Sequence, residues 1–153
     1  MNKALIVQAI IDALREEFES FQSSSKKARS GGSDSESKAE SKYDTLSTEE
    51  NYLADGLAKQ ALVAAQSAKL YENLSLAALN EDSAIDIGAL VQMEFPDETD
   101  WFFLGPAGGG VEVTCEGIAI TVITPESPLG AQLLGRKTGD KTTSPKARIR
   151  ALQ

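Results

Sequence analysis

The chain has 153 residues, 41% of them hydrophobic, and a formal net charge of −8. This length suits one domain or two small ones with a modest core, and the charge argues against affinity that comes mainly from neutralising nucleic-acid phosphates. Histidine is absent, the single cysteine is Cys115, and no apolar run is long enough to span a membrane. We therefore expect no His-based catalysis, no intramolecular disulfide and no bilayer segment. A soluble cytoplasmic protein is the expectation.

The first segment, residues 2 to about 22, has apolar residues spaced by three and four and therefore predicts an amphipathic helix. The apolar positions are Leu5, Ile6, Ile10, Ile11, Leu14, Phe18 and Phe21. The helix is expected to continue through the cationic residues 26–29 and to end at Gly31 and Gly32, because glycine commonly follows a helix C-terminus.

An acidic stretch follows in residues 33–55, with seven carboxylates against two lysines. The carboxylates are Asp34, Glu36, Glu40, Asp44, Glu49, Glu50 and Asp55. A solvated, flexible loop is the ordinary interpretation of such a charge run. If the helical segments on either side pair antiparallel, however, residues 31–46 become the tip of a projecting rod.

The second helix is predicted to begin at the capping-box pattern Ser47-Thr48-Glu49-Glu50 and to run to about residue 79, with no proline to interrupt it. A heptad-like seam runs along it through Leu53, Leu57, Ala61, Ala64, Ala68 and Tyr71. Small residues on this seam allow two helices to approach closely. Residues 1–79 are therefore predicted to form an antiparallel helical hairpin, a coiled coil.

The remainder changes character after a polar connector at residues 80–87. Short β-favouring runs separated by turn residues, with a two-turn helix that Ser127 caps and Pro128 opens, predict a small antiparallel sheet domain over residues 88–153. The predicted strands are residues 89–95, 101–104, 111–115, 118–123 and 146–152. The fold class is thus α+β, with a helical hairpin followed by a sheet domain with one short helix.

Cations concentrate near the end of the chain. Residues 136–150 hold six cations against one anion, Asp140, so this region is either a solvated edge or a docking face for an acidic partner. The cations are Arg136, Lys137, Lys141, Lys146, Arg148 and Arg150. The Gly-rich residues 105–110 lack the spacing of a dinucleotide or phosphate loop and are interpreted as a turn.

The sequence TPESPLGAQLLGRKTGD at residues 124–140 resembles the signature near the C-terminus of Gre-type bacterial transcription elongation factors. WFFLGPAGGG and GIAITVI, which precede it, fit the same domain. The resemblance implies an N-terminal antiparallel coiled coil and a C-terminal FKBP-like domain, the same layout that the residue patterns predict. It also implies a regulator of elongation that is not itself an enzyme.

In that family the C-terminal domain docks on RNA polymerase at the rim of its secondary channel, which the coiled coil enters. The resemblance therefore implies a monomer bound to core RNA polymerase, touching RNA and DNA only through that complex and needing no membrane. The residues implied to contact the polymerase are Ser127, Pro128, Arg136 and Lys137.

Family members that promote cleavage of backtracked RNA carry two carboxylates at the tip, which help to hold the second Mg²⁺ of the polymerase. The resemblance implies no cofactor of the protein's own, only Mg²⁺ shared with the polymerase if cleavage is promoted. The family tip reads Asp-x-x-Glu-Asn-x-x-Tyr, and Glu40 aligns with its glutamate, while Tyr43 is aligned with its tyrosine one residue short of the pattern's spacing. Ser37 stands at the aspartate position, so Glu36 or Asp44 would have to supply the second carboxylate.

Three other interpretations compete with a cleavage factor. The departure at Ser37 favours a non-cleaving regulator that occupies the channel. An FKBP-like prolyl isomerase would need an aromatic-lined pocket, which Trp101, Phe102 and Phe103 on one strand do not form convincingly. A plain helical-hairpin interaction protein would leave the match at residues 124–140 unexplained.

Overall fold

The protein is described by a computed structural model that covers the backbone of residues 1–33 and 41–153, and the side chains of these ranges outside residues 31–47. Within this part, the helices are α1 (Lys3–Ser33), α2 (Ser41–Glu72) and α3 (Pro128–Leu133). The strands are β1 (Leu90–Glu94), β2 (Thr99–Leu104), β3 (Glu112–Cys115), β4 (Ile118–Ile123), β5 (Lys141–Thr143) and β6 (Lys146–Leu152).

Both long helices differ from the prediction at their ends. Helix α1 includes Gly31 and Gly32, which were expected to end it, because a glycine costs a helix about 1 kcal/mol but does not exclude it. Helix α2 begins at Ser41, upstream of the expected cap at Ser47, because no proline or glycine interrupts the residues between them. The predicted capping box therefore lies inside the helix.

The C-terminal end of α2 is at Glu72 and not near residue 79. Asn73 ends the helix, since its side-chain amide donates to the Lys69 carbonyl at 2.9 Å. The next amide, of Leu74, donates to the Tyr71 carbonyl at 3.1 Å and tightens the last turn.

By its contacts the chain forms two compact units, one of residues 1–14 with 67–153 and one of residues 15–66. The division crosses both long helices, so the beginning of α1 and the end of α2 belong with the sheet. The domain boundaries drawn from the sequence, after residues 79 and 87, stay a prediction.

The first unit is built on one six-stranded sheet with the order β3-β4-β2-β1-β6-β5. The predicted antiparallel arrangement is confirmed for four of the five strand pairings, and the fifth, β2 with β4, is parallel. Strand β3 lies between β2 and β4 in the sequence but at the outer edge in the sheet, so β4 lies next to β2 and runs parallel to it. Residues 105–117, which contain β3, form the crossover between the parallel strands. Strand β5 was not predicted, since Thr142 is its single buried residue.

Each face of the sheet has its own apolar core. On one face the first turns of α1 and the end of α2 cover residues of β1, β2, β3 and β4, with Ile6, Ile10 and Leu14 supplying most of the cover. On the other face α3 packs through Leu133 against Leu104 and Ile149. Alternation along β2 divides its aromatic residues between the faces, with Trp101 and Phe103 on the first and Phe102 on the second.

Tyr71 links the end of α2 to the sheet. Its side chain is 1% exposed, its ring centroid lies 6.3 Å from that of Phe103, and its hydroxyl donates to the Ala107 carbonyl at 2.7 Å. Burial raises the pKa of the Tyr71 phenol, so the hydroxyl stays a donor at neutral pH. A Cβ atom at position 105 would overlap the Tyr71 hydroxyl, so Gly105 is required for this approach.

We expect Tyr71 and Gly105 to be coupled in stability. Tyr71→Phe should cost about 1 kcal/mol of unfolding free energy because the Ala107 carbonyl loses its donor. Gly105→Ala should cost about 2 kcal/mol by overpacking, and less in the Tyr71→Phe background because the overlapping oxygen is gone. Urea denaturation of the four proteins in this double-mutant cycle measures the coupling.

Gly56→Ala is the control for the glycine substitution. Gly56 lies in α2 with no heavy atom within 4 Å of an added Cβ, so alanine there should stabilise by about 0.5 kcal/mol through helix propensity. Additive costs at positions 71 and 105 would contradict the steric explanation.

Candidate functional site

The second compact unit is an antiparallel helical pair, as predicted. The Ser25 hydroxyl of α1 donates to the Ala54 carbonyl of α2 at 2.8 Å, and the Arg29 guanidinium lies 3.0 Å from the Asp55 carboxylate. Ser25 and Ala54 are both buried, so two small residues meet where the backbones come close. The ion pair is exposed and contributes less than about 1 kcal/mol.

A half-open cavity of about 340 Å³ lies between the two helices. Alanines on the α2 side leave this space because they are too short to fill the gap opposite Phe18. The lining residues are Phe18, Gln22, Ser25, Lys26, Arg29, Ala58, Ala61 and Leu62.

The predicted seam of α2 needs one correction. Ala61, Ala64, Ala68 and Tyr71 are buried as predicted, and Leu57 is half-buried. Leu53, however, is exposed, and its neighbour Ala54 is buried in its place. The reason is steric, because Ala54 lies against Ser25 where a leucine would hold the helices apart.

The tip carboxylates proposed from the sequence are not among the described side chains. Glu36 and Glu40 lie outside the described residues, as does Ser37. Asp44 lies in the first turn of α2, with its side chain outside the described set. Among the side chains that are described, no three acidic or cysteine residues come together as a metal site. The carboxylates proposed to share Mg²⁺ with a polymerase thus stay a prediction.

The signature at residues 124–140 folds around the short helix α3. Ser127 is its N-cap, and Pro128 opens the first turn, as predicted. The Ser127 hydroxyl accepts from the Gly130 amide at 3.0 Å and donates to the Thr124 carbonyl at 2.8 Å. A Cβ atom at position 130 would overlap the Thr124 carbonyl, which explains why glycine stands there. Ser127 and Gly130 thus act within the fold.

Four other residues of the signature are exposed. Pro128, Arg136 and Lys137 are exposed, and Leu134 exposes 45% of its surface directly after the helix. We call Pro128, Leu134, Arg136 and Lys137 the docking face. No carboxylate of the described residues lies within ion-pair distance of Arg136 or Lys137.

The backbone beneath the docking face is held by Ile85. Its amide donates to the Arg136 carbonyl at 2.8 Å, and its carbonyl accepts from the Gly135 amide at 2.8 Å. Ile85 is also 1% exposed in the second apolar core. Sequence reasoning placed this residue in a polar connector and missed it; one apolar residue among polar ones carries too weak a signal.

Gln132 was also missed. Its side-chain oxygen accepts from the Thr143 amide at 2.9 Å, and its amide nitrogen donates to the Ser144 carbonyl at 2.6 Å. Because Thr143 belongs to the edge strand β5, Gln132 covers that edge and fixes the β5–β6 turn against α3. A glutamine on a short helix gives no sequence signal for this role.

The helical pair yields a test with two neighbouring residues. Ala64→Asp should destabilise the pair by about 3 kcal/mol and reduce helical circular dichroism, because position 64 is 3% exposed, does not line the cavity, and would bury an unpaired charge. Val63→Asp is the control, since Val63 is 56% exposed and does not line the cavity, and should change stability by less than about 0.5 kcal/mol. Equal losses for the two variants would contradict the packing described here.

The chain has structural neighbours among solved proteins. No protein-family model and no curated protein matches the chain. Among solved structures it is similar to the transcription factor Gfh1, with 20% identity, 95% of this chain and 90% of that chain covered, and a TM-score of 0.34. It is also similar to the GreA factor homolog 1 (Gfh1) protein of Thermus thermophilus, with 19% identity, 96% and 94% covered, and a TM-score of 0.35. TM-scores this low leave the functional argument to the chain's own residues.

Proposed function

We propose that this protein is a Gre-like regulator of transcription elongation that binds core RNA polymerase and is not an enzyme by itself. The docking face carries the affinity, and the helical pair occupies the secondary channel. The protein acts in the cytoplasm as a monomer on the polymerase and meets RNA and DNA only through that complex.

The observation that carries the proposal is the geometry of residues 124–140. Their inward residues, Ser127 and Gly130, lock α3 onto the strand that precedes it. Their outward residues present an apolar group, Leu134, beside two cations without ion-pair partners among the described residues. An apolar centre with unpaired charge at its rim is what a protein partner with an acidic surface requires.

The finer proposal is that the protein occupies the channel and stimulates RNA cleavage weakly or not at all. It rests on the sequence of the tip, where Ser37 stands in place of the family's aspartate and Glu40 is the single matched carboxylate. Carboxylate oxygens are suitable Mg²⁺ ligands. Restoring a second carboxylate at position 37 should therefore raise the stimulation of RNA cleavage.

A prolyl isomerase is the candidate from another class, and the arrangement of aromatic residues disfavours it. Phe103 is fully buried against Tyr71, while Phe102 lies on the opposite face against Phe95. These rings cannot line one open pocket for a proline side chain.

Charge reversal tests the docking face in the full-length protein. Arg136→Glu with Lys137→Glu should weaken binding to core RNA polymerase by about tenfold, with the loss reduced at high salt. Lys141→Glu with Lys146→Glu makes the same charge change at exposed positions outside the docking face and should weaken binding less. Fluorescence anisotropy with labelled protein measures both, and equal losses would contradict the assignment.

The full chain is needed because a fragment of residues 85–153 would lack part of its own core. Ile6, Ile10 and Tyr71, which cover one face of the sheet, would be missing. Loss of binding in such a fragment would report unfolding instead of a missing contact.

The tip is tested by cleavage in stalled elongation complexes. Glu40→Ala should abolish any stimulation and leave polymerase affinity nearly unchanged, while Ser37→Asp should increase stimulation, because a second carboxylate would be restored. Strong cleavage by the wild type that survives Glu40→Ala would show that the tip alignment is wrong. Asp44 and Glu49 would then be the next carboxylates to replace.

A further inference from the structure

The half-open cavity of the helical pair lies on one flank of the contact between α1 and α2. Its lining residues on α1 recur at helical spacing from Phe18 to Arg29 and therefore share one face of that helix. Its lining residues on α2 are Ala58, Ala61 and Leu62. The volume of about 340 Å³ is within the range of roughly 300–1,000 Å³ that is usual for small-molecule sites. We call this space the interhelical cavity.

The two ends of the interhelical cavity differ in polarity. Ser25 of α1 lies level with Ala54 of α2, because its hydroxyl donates to the Ala54 carbonyl. In an antiparallel pair, Phe18 on the preceding turns of α1 therefore lies level with Ala61 on the following turns of α2, and this end is apolar. Lys26 lies toward the opposite end, about 12 Å from Phe18 along the axis of α1, since an α-helix rises about 1.5 Å per residue.

Lys26 supplies the free charge at the polar end. Arg29 also lines this end, but its guanidinium lies 3.0 Å from the Asp55 carboxylate and is neutralised there. Among the described residues, no carboxylate is within ion-pair distance of Lys26. Its side chain is exposed, so the aliphatic stem can lie along the cavity wall while the ammonium group stays in water. The polar end therefore offers one cation to an anionic group.

The apolar end is an incompletely filled space between the two helices. Phe18 is half-buried and Ala61 is 5% exposed. The buried Ser25 hydroxyl already has its partner in the Ala54 carbonyl, so it requires no water. Atoms that line unfilled space lack dispersion contacts, and an apolar group placed there would restore them.

We propose that the interhelical cavity binds an amphipathic anion, a small molecule with an aromatic ring or a short alkyl chain at one end and one anionic group at the other. The apolar part lies between Phe18 and Ala61, and the anionic group lies beside Lys26. The bound molecule fills the gap between the helices and stabilises the pair by mass action. Because the cavity lies within residues 15–66, the proposal depends neither on the docking face nor on polymerase binding.

The polarity of the cavity wall favours a small molecule over a helix of a partner protein. A helix that packs on this flank would need an apolar stripe continuing over several turns. On α1, however, Gln22, Lys26 and Arg29 follow Phe18 along the cavity, and Asp55 lies beside Arg29. A short ligand can place its apolar part at one end and leave these polar groups in water.

The test uses anilinonaphthalene sulfonate, an aromatic probe with one anionic group, titrated into the full-length protein and followed by fluorescence. We expect saturable binding at one site per chain. Saturating probe should also raise the melting temperature, because a ligand of the folded pair stabilises it. Absence of saturable binding at millimolar probe would overturn the proposal. A lowered melting temperature would do so too, since it would show binding to a loosened chain.

A matched pair of alanine substitutions locates the apolar part of the site. Ala58 and Ala65 are both half-buried on α2, and of the two Ala58 lines the cavity. Ala58→Leu should fill the space and lower the affinity for the probe by about tenfold, with the melting temperature of the free protein level or higher. Ala65→Leu adds the same atoms outside the cavity and should leave the affinity unchanged. Equal affinities in the two variants would contradict the site.

A matched pair of lysine substitutions tests the anionic part. Lys26 and Lys27 are adjacent and exposed, and of the two Lys26 lines the cavity. Lys26→Gln should lower the affinity for the sulfonate probe by roughly fivefold. It should leave the binding of phenylnaphthylamine, which has the same rings without the sulfonate, unchanged. Lys27→Gln should affect neither probe, and an equal loss in both variants would show attraction by net charge alone and overturn the assignment of Lys26.

Discussion

Tyr71 is the residue on which the sheet unit depends, because it joins elements that are distant in sequence. Its ring fills the core between the end of α2 and Phe103, and its hydroxyl satisfies the Ala107 carbonyl in the loop after β2. That loop begins the crossover that makes β2 and β4 parallel. The close approach is possible only because position 105 has no side chain. The packing of Tyr71 thus ties together the end of α2, the start of the crossover and the glycine at position 105.

The signature around α3 follows from a similar requirement for close packing. Gly130 is needed because the Thr124 carbonyl lies against the first turn of the helix. Ser127 satisfies that carbonyl and the Gly130 amide together. With these residues engaged inside the fold, Leu134, Arg136 and Lys137 remain for a partner. One motif therefore supports the fold through some residues and leaves others exposed for the proposed docking.

The cations near the end of the chain are one run in sequence but two surfaces in the structure. Arg136 and Lys137 follow α3, whereas Lys141, Lys146 and Arg148 lie on the β5–β6 hairpin. Strand pairing brings Lys141 and Arg148 together although it costs free energy through repulsion. A protein with a net charge of −8 thus keeps positive charge where no described carboxylate neutralises it.

Local patterns in the sequence determined most of the elements. Apolar spacing predicted both long helices, strand β4 at residues 118–123 and strand β6 at residues 146–152, because helix and strand periods are properties of neighbouring residues. The helix cap at Ser127 could also be predicted from the sequence, since its hydrogen bonds join residues only three positions apart. The α+β class followed from these elements alone.

The tertiary structure decided what depends on distant contacts. Strand order in the sheet determines the parallel pairing of β2 with β4 and the position of β5 at the edge. Local apolar spacing carries no information about strand order. Ala54 replaces Leu53 in the seam because Ser25 of the other helix leaves room only for a methyl group. Ile85 and Gln132 support the docking face through bonds to residues far along the chain. Hydrogen bonds and steric contacts between distant segments produce no periodic pattern in the sequence, so they can be seen only in the folded chain.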